Sequence, residues 1–440
     1  MLLLLLLLAF LSMLPNIRYF ELTLEEPRRA IIAYEMWFAG NLHQPTLFGE
    51  PYFNKPPLFN WLAILASHIF GWAEMTVRSL SLTFTILTAL LTYVTAKTIF
   101  QDPTLSRLSA LAYVTFADIL FHYGWIGEID ATVAFFVLGI IVCQWWAFET
   151  HNDWQVILSG LMTGLTFFLK GFPAYAFFGL TMLSLAVFHR RYLDVLRWPF
   201  LTASAASLML PLLWILFTDA PGAYLERLFH ESFSRVTGSN RIGEFFLHLL
   251  SYPLLNVKQL LPLSLVVPFV FWKERPRLAR EVKCLLLILA LNYLPYWLSV
   301  GSRGRYIVPL FPLLAMVFAF VIHNAEERVK RLSLLLLAVF IAGRFIYGLI
   351  GFPLMMERRG SIRAIGEEIA RKVGDDQDIA FRCRDSALAY YVDTHTRARV
   401  VSERMLKDWN YLVSCEGPVE ARLVAEFTAR RYKVMLYARR

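Results

Sequence analysis

The stretch A-T-V-A-F-F-V-L-G-I-I-V-C-Q-W-W-A-F-E (Ala131–Glu149) decides the class of fold. It carries no charge before its last residue, and its length is that of the roughly 20 apolar residues with which a helix crosses a bilayer. Comparable runs fall near 1–17, 75–99, 106–124, 155–170, 172–188, 198–217, 251–272, 284–300, 305–322 and 332–352. Together they predict an all-α polytopic membrane bundle of about eleven transmembrane helices. Composition agrees: of 440 residues, 57% are hydrophobic and 18% charged, whereas a soluble domain carries roughly 25% charged. Mean hydropathy is +0.51. A soluble fold could not use all these runs as core helices. The first run, Met1–Pro15, has neither a basic lead-in nor a small-residue cleavage site and reads as an uncleaved span. The runs 155–170 and 172–188 demand a tight turn at Lys170–Pro173.

The loops set the orientation. A net charge of +9 could suggest nucleic acid, but the basic residues lie mainly in short loops between apolar runs, where the positive-inside rule puts them. Nucleic acid is therefore excluded. With residue 1 inside, one set of loops holds Arg190, Arg191 and Arg197, then Lys273, Arg275, Arg277, Arg280 and Lys283, then Arg328, Lys330 and Arg331. These are the cytoplasmic loops. The outer side receives the segment 18–74, the turn 125–130, the second large segment 218–250 and the tail. Phe59–Phe70 is too short to span and is placed along the interface.

Residues 1–352 thus form the membrane domain, and 353–440 a soluble α/β domain on the outer, periplasmic side. In the tail Ser361–Val373 has helical periodicity, and Asp378–Cys383, Ala398–Ser402 and Tyr432–Tyr437 read as strands. Four cysteines are too few for a disulfide scaffold and lack zinc-type spacing. Cys143 and Cys284, in apolar segments, read as packed small side chains. Cys383 and Cys415 could pair if the tail faces an oxidising compartment.

Chemistry-bearing residues gather on the outer side. The first outer segment reads L-E-E-P-R-R-A (Leu24–Ala30) and then G-E-P-Y-F-N-K-P-P-L (Gly49–Leu58). Glu25 and Glu26 before Arg28 and Arg29 make an interfacial cluster of both signs. A helix N-terminus would look the same, with acids complementing the dipole and Pro27 in the first turn. Lys-Pro-Pro would equally stiffen a loop before an interfacial helix. The next outer turn, G-E-I-D, places Glu128 and Asp130 at a span's start. Asp130 can cap that helix, or act as a second carboxylate on the face that carries Glu25. Asp118 and His122, near the outer end of the third span, are intramembrane ionisable groups and so functional candidates, or an interhelical hydrogen bond. Lys170 reads equally as a side chain snorkelling to the interface. S-R-G-R-Y (Ser302–Tyr306) sets two arginines on the outer side against the loop bias, and guanidinium forks suit phosphate oxygens.

These motifs carry a resemblance. L-E-E-P-R-R-A, G-E-P-Y-F-N-K-P-P-L-F-N-W-L, the I-D before a span, F-L-K-G-F-P (Phe168–Pro173) and R-Y-I-V-P-L-F-P (Arg305–Pro312) together resemble the family of aminoarabinose transferases and protein O-mannosyltransferases, glycosyltransferases of the GT-C fold. The likeness covers nearly all of the membrane region. It implies an inverting enzyme of the cell inner membrane that moves a sugar, on the periplasmic side, from a polyprenyl-phosphate donor to a lipid or protein acceptor. The family opens its first outer loop with a catalytic Asp followed by Glu; here Glu25 stands at the Asp position and Glu26 at the Glu position. Arg28, Tyr52 and Lys55 match positions that resemble donor-phosphate contacts. Asp130 matches the family's second acidic position. Arg303, Arg305 and Tyr306 match a late basic-aromatic turn near the lipid phosphate. Such transfer requires no cofactor. A divalent cation is left open, although Asn54, where relatives often carry an acid, argues against one there. No glycine-rich phosphate loop appears, so no soluble nucleotide site is expected. Two other readings compete. A transporter or flippase for lipid-linked sugars would show inverted repeats and broken midplane helices, neither evident in the sequence. A catalytically silent membrane scaffold of the same fold would keep the motifs without the chemistry.

Overall fold

The computed structural model describes residues 1–17, 20–237, 242–357, 361–375, 377–429 and 432–439. Apolar runs form the helices, and proline and short polar residues mark where they begin. Pro27, Pro103, Pro173, Pro199 and Pro312 occupy first-turn positions, where a missing N–H costs nothing. In chain order the helices are α1 (Leu2–Met13), α2 (Glu26–Phe38), α3 (Leu58–Phe70), α4 (Glu74–Phe100), α5 (Pro103–Thr115), α6 (Asp130–Thr150), α7 (Asp153–Lys170), α8 (Pro173–Phe188) and α9 (Trp198–Leu216). They continue with α10 (Pro221–Thr237), α11 (Ile242–Gln259), α12 (Leu263–Glu274), α13 (Arg280–Leu298), α14 (Phe311–His323), α15 (Glu327–Ile346), α16 (Phe352–Glu357), α17 (Ile362–Val373) and α18 (Ser386–Thr396). The strands are β1 (Thr46–Leu47), β2 (Glu50–Pro51), β3 (Ile379–Arg382), β4 (Val401–Ser402), β5 (Tyr411–Ser414), β6 (Arg422–Ala429) and β7 (Tyr432–Ala438).

Among the described residues, six helical segments are long and apolar enough to cross a membrane: α4, α6, α9, α13, Gly304–His323 and Glu327–Glu357. The protein is a multi-pass helical membrane protein. α1, α3 and α8 are apolar but shorter. The expected turn between α7 and α8 is made by Gly171, whose amide donates to Phe167 O at 2.8 Å and whose φ of 75° then turns the chain out of the helix. Only glycine adopts that conformation at no steric cost.

Two expected spans are not continuous. The run 251–272 is split into α11 and α12, which meet at 107°. Pro262 lacks the N–H that would continue the helix, and its ring disfavours α geometry at Leu261. A broken helix pair is therefore present where the sequence had shown none. The run 106–124 ends its α-helix at Thr115 and resumes as a π turn, Ile119–Tyr123.

The chain divides into two compact units, one of residues 1–14, 54–56 and 81–345 and the other of 15–53, 57–80 and 346–440, the boundary falling within α4. In the first unit α6 packs on α7 and α8, α7 on α9, and α5 on α14. In the second, α2 packs on α3 and α18. The β1–β2 hairpin turns at Phe48-Gly49 and joins the tail, where Phe48 O accepts the Ser402 N–H at 2.8 Å.

The tail holds a five-stranded sheet of order β4-β3-β5-β7-β6. β3 runs parallel to β4 and β5, and the remaining pairs are antiparallel. Ala380, Leu412 and Tyr437 centre its core. The expected helix and the strands around β3, β4 and β7 are present; α18, β5 and β6 were not anticipated. β6 is an edge strand in which seven of eight residues are exposed or intermediate in burial, so its apolar alternation is weak. α18 is announced by Asp385, whose carboxylate accepts the Ala387 and Leu388 N–H groups at 2.8 and 3.1 Å. A disulfide joins Cys383 to Cys415, Cα–Cα 5.1 Å, just past the paired ends of β3 and β5.

Candidate active site

In the second unit the site is built on the N-terminus of α2. Leu24 takes a left-handed conformation (φ 57°) that reverses the chain, Glu25 occupies the N-cap position and Pro27 the first turn. The two acidic residues then diverge completely. Glu26 is fully buried, its carboxylate gripped by the Arg78 fork through Nε at 2.8 Å and Nη2 at 2.9 Å. Glu26 also accepts the Thr23 N–H at 2.9 Å. Arg78 spends its remaining donors on backbone carbonyls, Phe20 O at 2.7 Å and Glu21 O at 3.0 Å. Five donors in a rigid fork are what make such a closed arrangement available to arginine. Glu25, by contrast, keeps 27% of its side chain exposed and, among the described residues, pairs with Arg28, Nη1 to Oε2 at 2.8 Å. One carboxylate anchors the turn; its neighbour is presented to solvent at the positive end of the α2 dipole. Tyr52, buried in the same unit, ties its N–H to Pro45 O at 2.8 Å.

The first unit holds the other candidates. Asp130 opens α6 without any side-chain capping bond. Buried to 2% exposure, it accepts Lys170 Nζ at 2.8 Å. This replaces both simple readings: Asp130 is not a helix cap, and Lys170 does not snorkel outward. Lys170 Nζ also lies 5.3 Å from the centroid of the Tyr306 ring, a cation–π distance. Glu128 receives Arg305 Nη1 at 3.6 Å and faces His122 Nε2 at 3.9 Å. Arg303 is exposed, and its carbonyl accepts the Tyr252 hydroxyl at 3.3 Å. Asp118 accepts a hydrogen bond from Gln259 at the α11–α12 break. The interhelical hydrogen-bond reading of Asp118 is the one the geometry supports.

Lys55 and Asn54 belong to this unit as well, on the surface of α10. Lys55 Nζ pairs with Glu231 at 2.5 Å, the Tyr224 hydroxyl donates to Lys55 O at 2.7 Å, and Arg227 Nε donates to Asn54 Oδ1 at 2.7 Å. The second outer segment, whose residues 238–241 lie outside the described ones, thus supplies groups that the motif reading missed. Arg227 and Glu231 sit one turn apart on a helix, a spacing that puts both on one face, and that was the available signal. Arg78 was also missed, although an arginine inside a predicted span is a functional candidate by default. Among the described residues no group of three or more His, Cys, Asp or Glu side chains is arranged to hold a metal ion.

A helical membrane protein with paired acidic and basic residues at its helix ends is the class these elements define. The fold is that of a solved relative from Cupriavidus metallidurans, ArnT bound to undecaprenyl phosphate, with a TM-score of 0.75 at 16% identity over 98% of this chain and 96% of that one. Its apo form gives 0.71. Residues 54–216 match the family described as dolichyl-phosphate-mannose-protein mannosyltransferase. The undecaprenyl phosphate-alpha-4-amino-4-deoxy-L-arabinose arabinosyl transferase of Pseudomonas savastanoi is 31% identical over 70% of this chain and 58% of its own length. That of Pseudomonas aeruginosa is 31% identical over 70% and 56%. The chain spans a little over half the length of these curated relatives. The resemblance carried by the motifs holds: the chain is similar to aminoarabinose transferases over 70% of its length, its residues 54–216 match the mannosyltransferase family, and its fold is that of the solved ArnT.

Proposed function

We propose that this chain is an inverting glycosyltransferase of the inner membrane, moving a sugar of the aminoarabinose type from undecaprenyl phosphate to a lipid A-type acceptor. The observation that carries the reading is the split between the two N-terminal carboxylates of α2, Glu26 locked to Arg78 and Glu25 held out beside Arg28. A base must be exposed to its substrate yet fixed in space, and that arrangement supplies both. The relatives' names supply the donor class.

In the reaction an acceptor oxygen attacks the anomeric carbon from the face opposite the phosphate. The new glycosidic bond forms as the sugar–phosphate bond breaks, the bonding pair leaves on the polyprenyl phosphate, and Glu25 takes the acceptor proton. Glu26 positions Glu25. By the family resemblance Arg28, Tyr52 and Lys55 are the donor-phosphate groups, and positive charge steadies a departing phosphate electrostatically. Arg303, Arg305 and Tyr306 attend the lipid-phosphate end, and Asp130 acts through its pair with Lys170. The reading places about eleven spans in the bilayer, with residues 1–352 as transferase domain and 353–440 as a periplasmic domain. The Cys383–Cys415 disulfide supports that side of the membrane, because disulfides persist in oxidising compartments.

The test is transfer in proteoliposomes supplied with undecaprenyl-phosphate-aminoarabinose and lipid A, read by mass spectrometry. Product with wild type and none with Glu25→Gln supports the reading. An intact donor in both overturns it, and a sugar found on protein instead of lipid reassigns the acceptor.

A further inference from the structure

The segment that carries Glu25 is held from the tail. Leu22, three residues before Glu25 and buried to 1% exposure, donates its N–H to the hydroxyl of Tyr391 on α18 at 2.8 Å. The same hydroxyl donates to Glu74 Oε1 at 2.8 Å, at the start of α4. Arg363, on α17, pairs with Glu74, lies 5.6 Å from the Tyr391 ring centroid, and lends its backbone N–H to Glu21 Oε2 at 3.0 Å. All these residues belong to the second compact unit. The Leu22 N–H and the Glu21 carboxylate thus both meet tail residues, and Arg78 holds the Glu21 carbonyl.

From this geometry we infer that Tyr391 is a positioning residue for Glu25: its hydroxyl bridges the Leu22 amide to Glu74 and so fixes the turn from which Glu25 projects. The tail then has a part in transfer chemistry as well as in any acceptor contact. This inference rests on the assignment of Glu25 given above.

The details of packing fit a bridge rather than a passing contact. Burial pushes the Tyr391 hydroxyl far up from its ordinary range, so it stays protonated and can donate while it accepts. α17 comes close enough to seat Tyr391 because Gly366 faces it; a Cβ at Gly366 would lie 2.6 Å from Tyr391 Cβ. A little further along α18, Tyr34 of α2 donates its hydroxyl to Asp393 O at 3.0 Å. α18 thus touches the Glu25 segment below its turn and α2 beyond it.

Tyr390 provides a matched control. It is on the same helix and equally buried, but its hydroxyl has no hydrogen-bond partner among the described residues. Tyr391→Phe and Tyr390→Phe remove the same atom from adjacent sites. The full-length protein is reconstituted in nanodiscs and followed in two ways. Hydrogen exchange of the peptide spanning 20–26 should quicken about tenfold in Tyr391→Phe, the scale set by leaving a buried amide without its acceptor. It should not change in Tyr390→Phe. In the transfer assay kcat should fall about tenfold in Tyr391→Phe with donor KM unchanged within about twofold, since a displaced base costs rate and not binding. Unchanged exchange in Tyr391→Phe, equal effects of the two variants, or a fall in kcat shared by Tyr390→Phe would overturn the inference. A wild-type protein without transfer activity would instead overturn the function proposed above, and the exchange measurement would still decide whether Tyr391 holds the segment.

Discussion

Replacing Arg78 by methionine removes a cation whose donors are all committed in a fully buried setting. Glu26 would lose the guanidinium fork while keeping its bonds from Thr23, and the carbonyls of Ile17, Phe20 and Glu21 would lose an Arg78 donor. Breaking a buried pair by taking one member leaves an uncompensated charge, at a cost of about 3–5 kcal/mol. Glu26→Gln should cost a similar amount, because it strands the guanidinium instead. The double variant carries neither charge, so its destabilisation should fall below the sum of the two singles by at least about 2 kcal/mol, the coupling expected of residues in one network. The assay is equilibrium unfolding in detergent, followed through tryptophan fluorescence, for wild type, both singles and the double. Additive losses would refute the reasoning, as would an Arg78→Met protein of wild-type stability: either would mean that Glu26 is not held by Arg78. Arg78→Lys offers a finer measure. It keeps the charge but not the fork, and should lose about 1.5–3 kcal/mol for each charge-assisted bond that an ammonium cannot replace.

Three further outcomes are expected. Glu25→Gln should lower kcat by about 10²–10⁴-fold, the range of a lost general base, with the unfolding curve unmoved because the Glu25 side chain is partly exposed and its pair with Arg28 is a surface one; Glu25→Asp should retain activity, and near-wild-type turnover in Glu25→Gln would shift the role to another carboxylate. Cys383→Ser should destabilise the tail by about 3–4 kcal/mol in the chain-entropy account of a 32-residue separation, seen as faster proteolysis of the tail that dithiothreitol reproduces in wild type. Stability of the second unit should fall as pH rises above about 4, the ordinary carboxylate value. Burial pushes the carboxyls of Glu35 and Asp393 up in the folded state, so the folded chain keeps protons that the unfolded chain releases, and stability is lost as pH climbs toward the raised values. Exchange of α18 amides measured between pH 5 and pH 8, after correction for intrinsic rates, should show this slope, and Asp393→Asn should flatten it.

The membrane class was legible from runs such as Ala131–Glu149 because desolvating a backbone in lipid requires long apolar helices, a constraint written in composition alone. The motifs at 24–30 and 49–58 were legible for a related reason: charged and proline-rich residues placed beside a span stand out against it. What no pattern could decide was the use of each charge. Glu25 and Glu26 are adjacent and chemically near-identical, and only the approach of Arg78, 52 residues from Glu26, buries one and leaves the other presented. Asp130 reads as a cap until Lys170 arrives from the end of α7. The α11–α12 break is not legible in the sequence, where 251–272 reads as one span, and Pro262 accounts for it only once the two helices are seen to meet at 107°. The tail's hold on Leu22 through Tyr391, 369 residues away in sequence, leaves no local trace at all. Hydropathy and turn chemistry act over a few residues and survive in a linear reading; ion pairing and buried hydrogen bonding depend on which distant group the fold sets against each site, and only the folded chain shows which one that is.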